Sequence, residues 1–197
     1  EPVCYSTDDT AELAEIFNGN EALIKKYAEK LSISFERVEY AKNNFIRVVK
    51  VMKAFVLNDS VKSFLCLNNK LPQENKGLFD IKLLEEFADA IIKLYGIKGL
   101  KGKDLLYSIN SEDYDAKRAE FIQRLSKGEK LFVISSYNTV GAGQNLQYKA
   151  PGNATIVAVN DYDRGDMEKD FDCIYLEKPT NLLVNVDSKK GIEAENL

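Results

Sequence analysis

The chain has 197 residues, of which 45% are hydrophobic and 29% charged, and its formal net charge is −4. This composition indicates a globular protein, and the negative charge excludes one that coats phosphates over its whole surface, so any nucleic-acid contact must be local. Histidine is absent, which excludes a Ser-His-Asp triad, an imidazole base and a His-ligated zinc ion within these residues.

The three cysteines, Cys4, Cys66 and Cys173, are odd in number and far apart. This spacing predicts neither a disulfide framework nor a metal site, and it favours a reducing, cytoplasmic location. No apolar run approaches the ~20 residues that a membrane-spanning helix needs, so we expect no membrane association.

Residues 1–58 are predicted to form a helical accessory segment. Thr7, followed by two aspartates, is a suitable N-cap for the first helix. The strongest helical signal is a stripe of apolar residues spaced by three and four, which predicts packing against a neighbouring element. The stripe consists of Phe35, Val38, Ala41, Phe45, Val48, Val49, Met52, Phe55 and Val56.

Beyond residue 60, strands and helices alternate, and the strands are continuously apolar. Helices are predicted from Asp80 to Gly96 and from Ser111 to Gly128. The pattern predicts an α/β fold, with a mostly parallel sheet sandwiched between helices. The predicted strands are 64–68, 105–109, 131–135, 155–159, 173–176 and 182–186.

The segment SSYNTVGAGQNLQY, residues 135–148, follows one of these strands. In parallel sheets such loops carry function, and its glycines allow positive φ and close approach of a ligand. Many strand-to-helix turns share these residue types, so an ordinary turn is the alternative reading. The short polar side chains just beyond the strand are Ser135, Ser136, Asn138 and Thr139.

The longer stretch DAKRAEFIQRLSKGEKLFVISSYNTVGAGQNLQY resembles the second RecA-like lobe of superfamily 2 helicases and translocases. There, an Arg-bearing helix ends at a glycine, a buried strand follows, and the loop called motif V comes next. Arg118, Gly128, the strand 131–135 and the G-x-G-x-N-L form of 141–146 match in order and spacing, and the loop is closest to the Swi2/Snf2-like branch. Residues 59–193 are accordingly expected to form a RecA-like C-terminal helicase lobe.

The resemblance implies roles for individual residues. Ser135, Ser136, Asn138 and Thr139 would contact the nucleic-acid backbone, with DNA favoured over RNA, and Arg118 would assist. Gly141, Gly143 and Asn145 would lie near the ATP sugar. The Mg²⁺ ion and most of the ATP would be held by the N-terminal motor lobe of the same parent protein.

The departures from the family pattern are equally informative. No Gln-x-x-Gly-Arg-x-x-Arg motif, Walker A loop or DExx box stands in the 197 residues. The stretch GIKGLKGKD is not a Walker A loop, because Asp104 follows Gly102-Lys103 and the stretch follows a helix. We therefore expect no ATP hydrolysis by this chain alone.

Two further segments have simpler interpretations. Residues 160–172 are rich in acids, but placing Gly165 at the sixth position of a calcium loop puts Tyr162 and Arg164 at ligand positions. A solvated loop is expected, or a surface for a basic partner; a carboxylate-metal nuclease site has no support. Residues 194–197, AENL, resemble the start of a tobacco-etch-virus protease linker and are expected to be a tag remnant, with a native tail as the alternative.

Two functions remain in competition at this point. The chain is expected to be the second motor lobe of an ATP-dependent nucleic-acid helicase or translocase. The alternative is a non-catalytic α/β protein-interaction module, a degenerate lobe whose N-terminal helices form the binding surface.

Overall fold

The computed structural model of the chain describes residues 7–36, 38–69, 71, 79–140, 146–152 and 168–177. Helices and strands alternate through these ranges after three N-terminal helices. Their order and bounds are α1 Thr7–Ile16, α2 Glu21–Ser34, α3 Glu39–Leu57, β1 Ser63–Asn68, α4 Ile81–Leu94, α5 Gly102–Leu105, β2 Leu106–Ser108, α6 Tyr114–Ser126, β3 Leu131–Ser136, β4 Tyr148–Lys149, β5 Glu168–Lys169 and β6 Cys173–Leu176.

Four strands form a parallel sheet in the order β2-β3-β1-β6. Strand β1 pairs along its whole length with β3, from Ser63 opposite Leu131 to Asn68 opposite Ser136. Helices cover the sheet, so the predicted α/β fold with a mostly parallel sheet is confirmed. Strands were predicted correctly at β1, β2, β3 and β6; the predicted strands 155–159 and 182–186 lie outside the described residues.

The residues at the two ends of helix α4 explain why its limits could be predicted from the sequence. The side chain of Asp80 accepts a hydrogen bond from the Lys82 amide at 2.8 Å and caps the helix. Gly96, at φ +68°, ends it. Helix α6 begins at Tyr114 rather than at the predicted Ser111, because the side chain of Asn110 accepts bonds from the amides of residues 112 and 113 and forms a turn.

The first face of the sheet lies under α3 and α4. Phe64, Cys66, Phe132 and Ile134 point to this side, and their core continues through α1 and α2. Phe45 of α3 is fully buried there and contacts several aromatic rings. Helices α1, α2 and α3 therefore share one core with the sheet, and this core crosses the expected boundary at residue 58. The rings around Phe45 are Phe35, Phe79 and Phe87.

The second face lies under α6 and Tyr148 of β4. Leu65, Leu67, Leu131 and Val133 point to this side. The pairing of β1 with β6 puts Ile174 and Leu176 on the same face. Each of those two residues is 57% exposed, so the cover on this face ends at β1 among the described residues.

Among the described strands, β2 lies at one edge of the sheet, and two hydrogen bonds occupy its outer side. The amide of Leu106 donates to the carbonyl of Gly102, and the Nζ of Lys117 donates to the carbonyl of Ser108 at 2.9 Å. The amide of Ile109 donates to the carbonyl of Ile134 in β3. Because backbone groups alternate in direction along a strand, the amide and carbonyl groups of Leu106 and Ser108 face away from β3. Within the described ranges, no helix has the length and apolar character that crossing a bilayer requires.

Candidate functional site

The carboxyl ends of the parallel strands meet at one edge of the sheet, where ligands bind in folds of this class. Strand β1 ends at Asn68 and β3 at Ser136, and the register places these two residues side by side. Glu177 follows the last residue of β6, and its amide donates to the carbonyl of Leu67 at 2.9 Å. The start of the Gly-rich segment thus lies among polar residues from three strands.

Ser135 has a different environment from the residues that follow it. Its side chain is fully buried, and its hydroxyl donates to the carbonyl of Ile109 at 3.1 Å. The strand extends one residue beyond the predicted end, and alternation along it turns Ser135 toward the α6 face. The predicted nucleic-acid contact of Ser135 would require this internal bond to be replaced.

Ser136 and Thr139 form a hydroxyl pair at the end of β3. Their oxygen atoms lie 2.9 Å apart, and the Thr139 amide also donates to the Ser136 hydroxyl at 3.2 Å. The amides of Thr139 and Val140 donate to the Ser136 carbonyl, both at 3.0 Å, which closes a turn. Asn138 at the tip of this turn is exposed, so the predicted residues Asn138 and Thr139 are the accessible members of the group.

Arg118 lies on the first turns of α6, near the same edge, and is partly exposed. Its neighbour Tyr114 is buried, and the hydroxyl of Tyr114 interacts with the guanidinium of Arg118. Burial raises the pKa of Tyr114, while the nearby charge of Arg118 acts in the opposite direction.

The predicted ATP-proximal residues Gly141, Gly143 and Asn145 lie outside the described residues. Their proposed contact with the ATP sugar therefore stays a prediction. Among the residues that the structure describes, no group of three or more acidic or cysteine side chains could hold a metal ion.

Helix α3 contributes polar residues to this edge that the sequence reading did not identify. Asn44 donates from its side-chain amide to the side-chain oxygen of Asn68 at 3.0 Å. One turn earlier, the hydroxyl of Tyr40 lies 3.5 Å from the side-chain nitrogen of Asn69. One turn later, Arg47 reaches Glu177. A signal was present, because residues 40, 44 and 47 interrupt the apolar pattern of α3 at helical spacing.

Arg47 and Glu177 form an ion pair with the carboxylate buried. The side chain of Glu177 is 2% exposed, whereas that of Arg47 is 44% exposed. The Nη2 of Arg47 donates to Oε1 at 2.6 Å, and the hydroxyl of Tyr175 donates to Oε2 at 2.6 Å. The hydrogen bond to Glu177 raises the pKa of Arg47. Burial and the hydrogen bond to Glu177 raise the pKa of Tyr175 to about 12.

The acidic stretch 160–172 is described only from residue 168 onward. Its last member, Asp172, lies at the opposite, amino end of the sheet, where Oδ2 accepts bonds from the amides of Lys62 and Ser63 at 2.8 and 2.9 Å. Asp172 also pairs with Lys169. This carboxylate links the residues just before β6 to the start of β1, so its role is structural.

No protein-family model matches the chain, and no curated protein matches it at a significant level.

Proposed function

We propose that this chain is the second motor lobe of an ATP-dependent nucleic-acid helicase or translocase, and that the segment after β3 contacts the nucleic-acid backbone. One observation carries the proposal. The G-x-G-x-N-L segment follows an interior strand of a parallel sheet, and the accessible polar residues Asn138 and Thr139 stand where that strand leaves the sheet. Hydroxyl and amide groups bind phosphate oxygens without reading bases.

The lobe would act beside a partner lobe. Walker A and DExx residues are absent from the 197 residues, so the phosphate cradle and the Mg²⁺ carboxylate must come from elsewhere in the parent protein. Gly141, Gly143 and Asn145 would contribute sugar-side contacts to the ATP. The free cysteines Cys66 and Cys173 fit a cytoplasmic protein.

The competing function, a non-catalytic interaction module, is favoured by one surface feature. Ile33 of α2 and Tyr40 and Leu57 of α3 are 73%, 50% and 41% exposed on the N-terminal helices that this hypothesis assigns to partner binding. A few exposed apolar residues are common on monomeric proteins, so the motor-lobe proposal has the stronger support.

Fluorescence anisotropy with labelled single-stranded DNA and RNA tests the proposal directly. Non-specific binding with a dissociation constant tighter than about 100 µM is expected at physiological salt. The double variant Ser136→Ala/Thr139→Ala should weaken it about fivefold, because the turn that presents Asn138 and Thr139 loses its hydroxyl pair. Arg118→Ala should reduce the slope of log affinity against log salt by about 1.

The matched control is Ser60→Ala, which removes an exposed hydroxyl bonded only within its own turn at the amino end of the sheet. It should bind like wild type. Wild-type protein that binds neither polymer, or that loses as much affinity through Ser60→Ala as through the double variant, would contradict the proposal. Thermal melting of each variant checks that the fold is intact.

A further inference from the structure

Glu177 connects three separate elements at the carboxyl edge of the sheet. Its carboxylate accepts from Arg47 of α3, and its amide donates to Leu67 of β1. Its backbone carbonyl accepts a bond of 2.5 Å from the hydroxyl of Tyr137, the first residue after β3. A residue that is almost fully buried therefore joins the longest helix to the turn that carries Asn138 and Thr139.

Tyr137 is held at two points. Its hydroxyl donates to Glu177, and its amide lies 3.3 Å from the carbonyl of Asn68. The turn closed by Ser136, Thr139 and Val140 contains Tyr137, the residue that these two bonds hold. The position of the turn relative to the sheet consequently depends on the position of the Glu177 main chain.

The position of Glu177 in turn depends on Arg47. A carboxylate buried to this extent is stable only while a cation and hydrogen-bond donors compensate it. Arg47 supplies the charge through Nη2 and Nε, with the Nε bond at 3.3 Å to Oε2. Without Arg47, the buried carboxylate would lose its cation, and the Glu177 main chain would be held less firmly.

We propose that Glu177 is a positioning residue for the turn at 136–140: its main chain sets the direction of that turn through Tyr137, and Arg47 makes this setting depend on α3. The nucleic-acid consequence rests on the proposed function, because it assumes that the turn contacts the backbone of the strand. The positioning itself does not rest on it, and can be measured without any ligand.

Two tyrosine variants separate positioning from general stability. Tyr137→Phe deletes the hydroxyl that donates to the main chain of Glu177, whereas the control Tyr107→Phe deletes a hydroxyl that donates to an unrelated carboxylate, that of Glu120. Hydrogen exchange of the Thr139 and Val140 amides should accelerate about tenfold in Tyr137→Phe and stay near the wild-type rate in Tyr107→Phe. Amides of the sheet interior, such as Leu65, should exchange at the wild-type rate in both variants.

Arg47 provides a rescue experiment. Arg47→Met should accelerate exchange of the same two amides, because Glu177 loses its counter-ion. Adding Glu177→Gln should restore slow exchange, since a neutral amide needs no compensating charge and still accepts a bond from Tyr175. If Arg47→Met fails to fold, the comparison of the two tyrosine variants decides alone.

The binding arm uses the labelled single strands of the previous section. Tyr137→Phe should weaken binding about threefold and the control Tyr107→Phe should leave it unchanged. Equal exchange in the two tyrosine variants, or unchanged binding in Tyr137→Phe despite a loosened turn, would overturn the inference. If the exchange pattern is as expected but wild-type protein binds no nucleic acid, the positioning role is supported and the proposed function fails.

Discussion

Among the residues that the structure describes, the two faces of the sheet are covered very differently. On the first face, a single core extends from the sheet through α3 and α4 to α1 and α2. On the second face, α6 and the short β4–β5 pair cover β1 and β3, while Ile174 and Leu176 of β6 stay exposed. Most of the buried apolar packing therefore lies on the first face.

The segment assigned to function belongs to the thinner face. Tyr137, Val140 and Leu146, which flank the glycines, pack against the core beneath α6. Regions with fewer buried contacts open at lower free-energy cost, and ligand-binding loops are drawn from such regions. The unequal cover therefore predicts that residues 136–140 open at a lower free-energy cost than the helices of the first face.

The largest expected effect comes from removing an aromatic ring from the first face. Phe45→Ala should lower the free energy of unfolding by about 4 kcal/mol, because the surrounding rings cannot collapse into the cavity. Phe121→Ala on the second face deletes an equally buried ring that has fewer aromatic neighbours, and should cost about 3 kcal/mol. Urea unfolding followed by circular dichroism measures both values.

The control for these variants is Ile33→Ala, which truncates a side chain that is already 73% exposed and should leave stability unchanged. Phe45→Ala should shift a single transition, since α1, α2 and α3 share the core of the sheet. Two separate transitions, or a greater loss from Phe121→Ala, would mean that the two faces contribute differently from what their cover indicates.

A smaller effect is expected at Asp172, which directly precedes β6 and accepts hydrogen bonds from the amides at the start of β1. Burial opposes ionisation of this carboxyl, but bonds from Lys169 and from the amides of Ser63 and Lys62 outweigh it and lower its pKa. A lowered pKa in the folded state stabilises the fold above the ordinary value of ~3.9, and this contribution disappears as pH falls through the folded-state pKa.

Asp172→Asn should therefore lower the melting temperature at pH 7 by about 3 °C, and the difference from wild type should vanish near pH 2. Melting curves collected between these pH values measure the trend. A difference that persists undiminished in acid would show that the loss comes from packing and not from the charge of the carboxylate.

The smallest effects should be equal on the two faces. Gly96 ends α4 at φ +68° and Gly128 follows α6 at φ +81°. A Cβ at Gly96 would have no atom within 4 Å, and one at Gly128 would make only an ordinary contact with Pro151 at 3.9 Å. Alanine at either position should cost about 1 kcal/mol, from backbone strain alone.

Gly152→Ala is the matched control, because Gly152 lacks positive φ and has open space around it. It should raise the free energy of unfolding by about 0.5 kcal/mol in the same urea unfolding experiment, because alanine lowers the entropy of the unfolded chain. If alanine lowers the free energy of unfolding much more at Gly128 than at Gly96, the backbone at the end of α6 adjusts less readily than the few contacts around it indicate.

Local signals in the sequence were sufficient for most of the fold. Continuous apolar runs predicted β1 and β3, and the Asp80 cap and Gly96 predicted the limits of α4. The start of α6 was wrong by three residues, because a turn made by Asn110 competes with the helix for the same amides. A one-residue extension of β3 likewise explains why the burial of Ser135 was not foreseen.

The polar connections of the site could not be predicted in the same way. Arg47 and Glu177 are 130 positions apart, and their pairing follows from β6 lying next to β1 beneath α3. A single sequence contains the spacing of residues along each helix but not the order of strands across the sheet. The polar interruptions of α3 were visible, whereas their partners became identifiable only with the topology.

The closed edge at β2 has a consequence for the behaviour of the protein at high concentration. A strand from another molecule could join β2 only by displacing the bond of Leu106 to Gly102 and that of Lys117 to Ser108. Unprotected edges are templates for intermolecular sheets, and a lysine on the edge is a common protection against them. We therefore expect replacement of Lys117 to increase the tendency of the protein to aggregate.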